Sequence, residues 1–283
     1  MAGVGLVIEG DPELVDIVRL VMPRLFWGEG EAQGRPVWRI RLERVLGPTA
    51  SLDAPVCQEE IRTETGRVVL SKERVCRICT RDEFGLGVLI HLAIAAILRR
   101  NRILQIHAAA LCPPDSASAF LFVGPSGAGK TTLTMNLARR SWGFLSDDSV
   151  VLTDSEGEFL AMPLRPSFRI VREGHARKEL FDPEQEFPGQ RLASVAIKGL
   201  VFVEQSGAKG SLLTPLSRED AFARLPAATP EFGSGEDARW QLGFIARLSA
   251  LPSFILAAGR DVLSDDDALD RLLRNLRTEV RAA

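Results

Sequence analysis

The stretch Gly124-Pro125-Ser126-Gly127-Ala128-Gly129-Lys130-Thr131 sits between an apolar run, Ala119-Phe120-Leu121-Phe122-Val123, and a helix-prone segment from Lys130 to Arg140. Strand, glycine-rich loop and helix in that order form a phosphate cradle. Glycines let backbone N–H groups turn inward, and the positive end of the helix dipole adds to them. The spacing G-x-x-x-x-G-K-[ST] assigns Lys130 to the β- and γ-phosphates of a nucleoside triphosphate and the Thr131 hydroxyl to Mg²⁺. Gly124 through Thr131, with Thr132 next on the helix, make up the expected nucleotide-binding set. No base-reading motif is evident, so ATP and GTP both fit the loop.

Working outward, Phe144 to Leu152 reads as one strand carrying the acidic pair Asp147-Asp148. Asp148 stands 18 positions after Lys130, one helix and one strand along. A carboxylate there is placed to hold Mg²⁺ or to take a proton from an attacking hydroxyl. Upstream, Ile103 to Leu111 reads as a strand containing His107, and Pro113 to Ser116 as a turn. Downstream, Phe159 to Met162 returns as a strand. Arg165, Arg169 and Arg172 follow it, and Arg165 is the best placed of the three to grip phosphate oxygens or an acceptor.

The rest of the chain is less specific. Pro12 to Leu25 and Phe84 to Arg100 read as helices, the second closed by Arg99 and Arg100. Val37 to Leu42, Arg67 to Leu70 and Val75 to Cys79 read as strands, and Leu46 to Pro55 as loop. Residues 173–192 read as a surface helix plus loop, Val195 to Val203 and Phe254 to Leu256 as strands, and Ala228 to Asp237 as a surface segment. Asp265 to Val280 reads as a final amphipathic helix. Cys76 and Cys79 form a lone CxxC with no further ligands at zinc spacing, which predicts buried thiols. The expected architecture is α/β: a mixed central sheet with the nucleotide-binding core in 101–283, and an α/β accessory lobe in 1–100.

The chain has 283 residues, 46% of them apolar and 25% charged, with a formal net charge of −2. That balance gives no global attraction to nucleic acid or to an anionic membrane. The start lacks the basic, then apolar, pattern of a signal peptide, and no run is comfortably long enough to span a bilayer. The expected location is cytoplasmic, without nucleic-acid or membrane partners.

His107-Ala108, a short hairpin, the loop 124–131 and Leu145-Ser146-Asp147-Asp148-Ser149-Val150 together resemble the catalytic core of HPr kinase/phosphorylase, which is shared with phosphoenolpyruvate carboxykinase. The resemblance covers about residues 103–170, with Ala108 where the family has glycine. It implies an ATP-dependent kinase with Mg²⁺, in which Asp148 is the catalytic aspartate, Asp147 supports the metal and His107 touches the phosphates. Residues 1–100 do not resemble the family's classical N-terminal domain, and after residue 160 only Glu173 stands as a candidate second metal ligand. The chain is therefore similar to the divergent branch that includes lasso-peptide and other peptide-tailoring kinases. That implies a serine-bearing peptide or protein as acceptor, and the family's hexamers imply a homo-oligomer. A small-molecule hydroxyl kinase and a nucleotide-dependent switch fit the same residues.

Overall fold

The computed structural model describes residues 4–21, 37–44, 57–155, 157–164, 168–171, 178–230, 233–263, 267–274 and 276. The chain divides into two compact units, Met1–Arg102 and Ile103–Ala283. Both are α/β.

The first unit holds β1 (Gly5–Gly10), α1 (Pro12–Val21), β2 (Val37–Arg44), β3 (Cys57–Arg62), β4 (Gly66–Ser71), β5 (Val75–Thr80) and α2 (Glu83–Arg100). Its sheet runs β1-β2-β5-β4-β3, parallel across β1, β2 and β5 and antiparallel from β5 to β3. Alternation sets its two faces. Trp38, Ile40, Leu42, Cys76 and Ile78 are buried on one, while Arg39 and Arg41 point the other way into ion pairs with Glu9. Asp82 caps α2 by accepting from Gly85 N, and at its far end Arg99 and Arg100 both pair with Glu59. Cys76 and Cys79 are buried free thiols, as the isolated CxxC predicts. Burial pushes the Cys76 thiol up to about 12.

The second unit begins with β6 (Leu104–Ile106), β7 (Ala108–Cys112), β8 (Ser118–Val123), α3 (Lys130–Ala138), β9 (Gly143–Ser146), β10 (Val150–Ser155) and β11 (Glu158–Pro163). It continues through β12 (Phe168–Val171), β13 (Lys178–Phe181), α4 (Pro183–Glu186), β14 (Val195–Gln205) and β15 (Leu212–Leu216). It ends with α5 (Arg218–Arg224), a 3₁₀ turn (Leu225–Ala228), α6 (Gly235–Leu248), β16 (Ser253–Ala258) and α7 (Ala268–Arg274). The large mixed sheet runs β6-β10-β11-β14-β8-β7-β9. Long β14 pairs antiparallel with β11 over its first residues and parallel with β16 over its last, with parallel β8 along its other edge.

The run Ala119 to Val123 is apolar without alternation because both faces of β8 are covered. Leu121 and Val123 join a core with Phe244, Ile245 and Leu248 of α6. Phe120 and Phe122 join another with Leu133 and Leu137 of α3 and Leu269 and Leu273 of α7. Each such side chain contributes about 1.5–3 kcal/mol when removed from water.

Two expected strands are each broken in two. The run 103–111 divides at His107: β6 pairs with β10, whereas β7 pairs with β8 and β9. The run 144–152 divides at Asp147–Ser149 in the same manner: β9 pairs with β7, whereas β10 pairs with β6 and β11. The chain changes partners at both places, and a continuous strand could not. Within 173–192 the described residues form β13, the one-turn α4 and an irregular stretch after it, so the expected helix is a single turn and a strand precedes it. The segment expected to stay irregular up to Asp237 gives way to α6 at Gly235. Leu46 to Pro55 lies outside the described residues, as does the end of the helix expected over 265–280. No helix among the described residues is long and apolar enough to cross a membrane.

Trp142, fully buried, donates its indole N–H to Asp270 Oδ1 at 2.6 Å, and Asp270 also takes Arg274. This bond fastens α7 to the chain leaving α3. Asp270→Ala strands the indole donor, so a loss of about 1–3 kcal/mol is expected in denaturant unfolding, with a smaller loss for Asp270→Asn, which retains an acceptor oxygen.

Candidate functional site: the glycine loop and the two strand breaks

The loop between β8 and α3 needs its glycines for two different reasons. Gly127 and Gly129 sit at φ +86° and +94°, which L side chains rarely adopt. Gly124 has no room for a side chain, because a Cβ there would lie 2.8 Å from Val203 O. Gly129 is the N-cap of α3 and offers no side-chain acceptor to the first helical N–H groups. A helix N-terminus without a side-chain cap is the kind of place that suits an anion.

Lys130 is almost fully buried, at 5% exposure. Its ammonium directs three bonds inward, to Gly124 O at 2.7 Å, Pro125 O at 3.0 Å and His107 Nε2 at 2.9 Å. An ammonium only donates, so Nε2 of His107 accepts and the ring proton belongs on Nδ1. That nitrogen faces Asp148 Oδ1 at 3.2 Å. Lysine, histidine and aspartate thus form one chain, with Asp148 at its half-exposed end.

The other aspartate meets the first turn of α3. Asp147 is 2% exposed and accepts from the Thr131 hydroxyl through Oδ2 at 2.7 Å. Its Oδ1 is buried without a hydrogen-bond partner. Burial raises the Asp147 carboxyl to about 6; the Thr131 hydroxyl opposes this, the Asp148 charge adds to it, and Lys130 opposes it. A buried hydroxyl–carboxylate pair with one carboxylate oxygen unused fits Mg²⁺, which commonly takes one or two protein oxygens and completes its shell with phosphate and water. Asp147 and Thr131 would hold the ion, and it would neutralise charge on the β- and γ-phosphates. Among the described residues no three His, Cys, Asp or Glu side chains cluster to hold a metal unaided.

The partner-switching bends place these groups. The His107 backbone N–H leaves the sheet and bonds Ala228 O at 2.7 Å. Ser146 Oγ, fully buried, accepts from Asp148 N and Ser149 N and holds the second bend. Gln105 Nε2 reaches Ser149 Oγ at 3.1 Å and ties the two bends together.

The expected residues Lys130, Thr131, His107, Asp147 and Asp148 are therefore gathered at one place, and Thr132 lies on the first turn of α3. Arg165, expected to contact substrate, lies outside the described residues, as do Arg172 and Glu173. Arg169 lies on β12, in a two-strand sheet with β13.

Sequence reasoning missed Ser146 and Gln205. Ser146 stands beside the acidic pair, where a turn-forming Ser-Asp-Asp-Ser run was readable. Gln205, at the end of β14, donates to Gly127 O at 2.7 Å and steadies the apex of the loop. No local signal marks it, since 78 positions separate the two residues.

The Asp147 shift carries a sign. The folded state holds this proton more tightly than an unfolded chain does, so the favourable contribution is complete below pH 4 and is lost as the pH rises through about 6. For metal-free protein, unfolding at pH 5 and 7.5 is expected to show wild type losing about 1–1.5 kcal/mol relative to Asp147→Asn. Mg²⁺ with nucleotide should reverse that loss in wild type only. No family model matches the chain, and no curated protein matches it. Among solved structures, the chain is similar to that of the Hpr(Ser) kinase/phosphatase from Coxiella burnetii, with 13% identity and a TM-score of 0.41, over 62% of this chain and 98% of that one.

Proposed function

We infer that the protein is an ATP-dependent kinase that transfers the γ-phosphate, with Mg²⁺, to a hydroxyl, and that the acceptor is a serine of a peptide or protein. The observation that supports transfer rather than binding alone is the division of labour between the two aspartates. Asp147 is buried on the Thr131 side, suited to a cation, while Asp148 is half-exposed, oriented by His107 and able to meet an incoming group. A protein that only bound nucleotide would have no use for the second carboxylate. The serine acceptor rests on the sequence resemblance of the Asp147-Asp148 strand and the loop.

In the proposed reaction the loop N–H groups and Lys130 hold the phosphates. Lys130 exchanges its carbonyl partners Gly124 and Pro125 for phosphate oxygens. Asp148 orients the acceptor hydroxyl and takes its proton as the oxygen attacks the γ-phosphorus. The bond from that phosphorus to the bridging oxygen breaks in line, and ADP leaves with the electron pair. His107 holds Asp148 in place and links its charge to Lys130.

The test is transfer from γ-labelled ATP with Mg²⁺ to serine-containing peptides and small alcohols. Asp148→Asn is expected to lower transfer by about 10²- to 10⁴-fold with nucleotide affinity largely retained. Label on an alcohol but on no peptide would make the protein a small-molecule kinase. Label released only as free phosphate, equally by both proteins, would overturn the kinase reading in favour of a nucleotide-dependent switch.

A further inference from the structure

A cavity of about 1000 Å³ opens beside the loop, within the range that accommodates a ligand of drug size. It is continuous with the site: His107 and residues 124–128 form one wall. The opposite walls come from the end of β14 and from α5 with its following turn.

Its position relative to the phosphates follows from Lys130. In this loop pattern the lysine meets the β- and γ-phosphates. The Lys130 ammonium lies against Gly124 O, Pro125 O and His107 Nε2, and all three of those residues line the cavity. Lys130 itself, Thr131, Thr132 and Asp148 are not among the lining residues. The cavity therefore adjoins the end of the phosphate chain that Lys130 would meet, and His107 on its wall faces Asp148 at 3.2 Å.

The chemistry of the walls is apolar and uncharged overall. Val123, Phe202, Val203, Ala223, Ala227 and Ala228 supply most of the surface. The two charged residues neutralise each other: Arg224 Nη1 meets Glu204 Oε1 at 2.5 Å, and its guanidinium lies 5.9 Å over the Phe202 ring. A charged group entering here would lose water and find its counter-charge already paired.

We propose that this cavity is the acceptor subsite and that it selects a hydroxyl flanked by uncharged apolar groups, such as a serine between aliphatic residues. The assignment rests on the kinase reading for the word acceptor, but the selectivity rests on the walls alone. Burying one aliphatic side chain there is worth about tenfold in affinity or more.

The test uses the full chain with Mg²⁺ and three probes, acetylated and amidated Leu-Ser-Leu, Asp-Ser-Asp and Lys-Ser-Lys. Binding is measured calorimetrically in the presence of a non-hydrolysable ATP analogue, and transfer is measured separately from γ-labelled ATP. Ala223→Trp on α5 and Ala227→Trp on the turn both fill the cavity from exposed positions, so a folding defect in one leaves the other. The Leu-flanked probe is expected to bind about tenfold more tightly than either charged one. Each tryptophan should abolish that preference while analogue affinity stays within about twofold. Equal affinity for the three probes would overturn the proposal. So would a loss of analogue affinity of about tenfold in both variants, which would make the cavity the base site. Selective binding without transfer would keep the cavity assignment and remove the kinase reading. Transfer without flank preference would do the reverse.

Discussion

Backbone donors and acceptors that leave a sheet must be satisfied elsewhere, and that constraint organises this site. The chain twice exchanges one set of strand partners for another, between β6 and β7 and between β9 and β10. At each exchange the ladder is interrupted. The first is closed by His107 N on Ala228 O, the second by Ser146 Oγ on the amides of Asp148 and Ser149. The residues at these two interruptions are the ones that meet the loop. A side chain inside a regular strand is held to one face of the sheet; one at a partner exchange is released from that alternation and turns toward the end of β8.

Charge then distributes the roles. Lys130 is buried and donates to two carbonyls and an imidazole. Asp147 is a buried carboxyl with one unused oxygen beside a hydroxyl. A buried ammonium and a buried carboxyl thus meet the same loop. Asp148 differs from its neighbour only in which way the bend turns it, and solvent access follows from that.

The loop is also held from outside the local sequence. Gln205 steadies Gly127, and Val203 presses on Gly124 from the same strand, so β14 positions the loop along its length. Both contacts come from the parallel β8–β14 pair, whose register sets Val203 beside the start of the loop. The same strand end contributes Phe202 and Glu204 to the adjoining cavity. One strand thereby shapes the phosphate cradle and the space next to it.

The local sequence by itself determined the loop, its glycine conformations, the helix that follows and the apolar strand that precedes it, because those depend on spacing and backbone sterics within a dozen residues. It also determined the alternating strands β2 and β5 and the capped helix α2, where periodicity and end charges agree. Tertiary structure decided the rest. His107 and Asp147-Asp148 read as ordinary strand positions, since a change of strand partner is a long-range event with no local composition signal. Helix α6 was missed because Gly233, Ser234 and Gly235 at its start mask an amphipathic segment whose apolar face is recognisable only against Phe159. The pairing of Lys130 with His107, of Asp148 with His107 and of Asp147 with Thr131 was likewise settled by the fold, because distance between side chains is a property of packing and not of order along the chain.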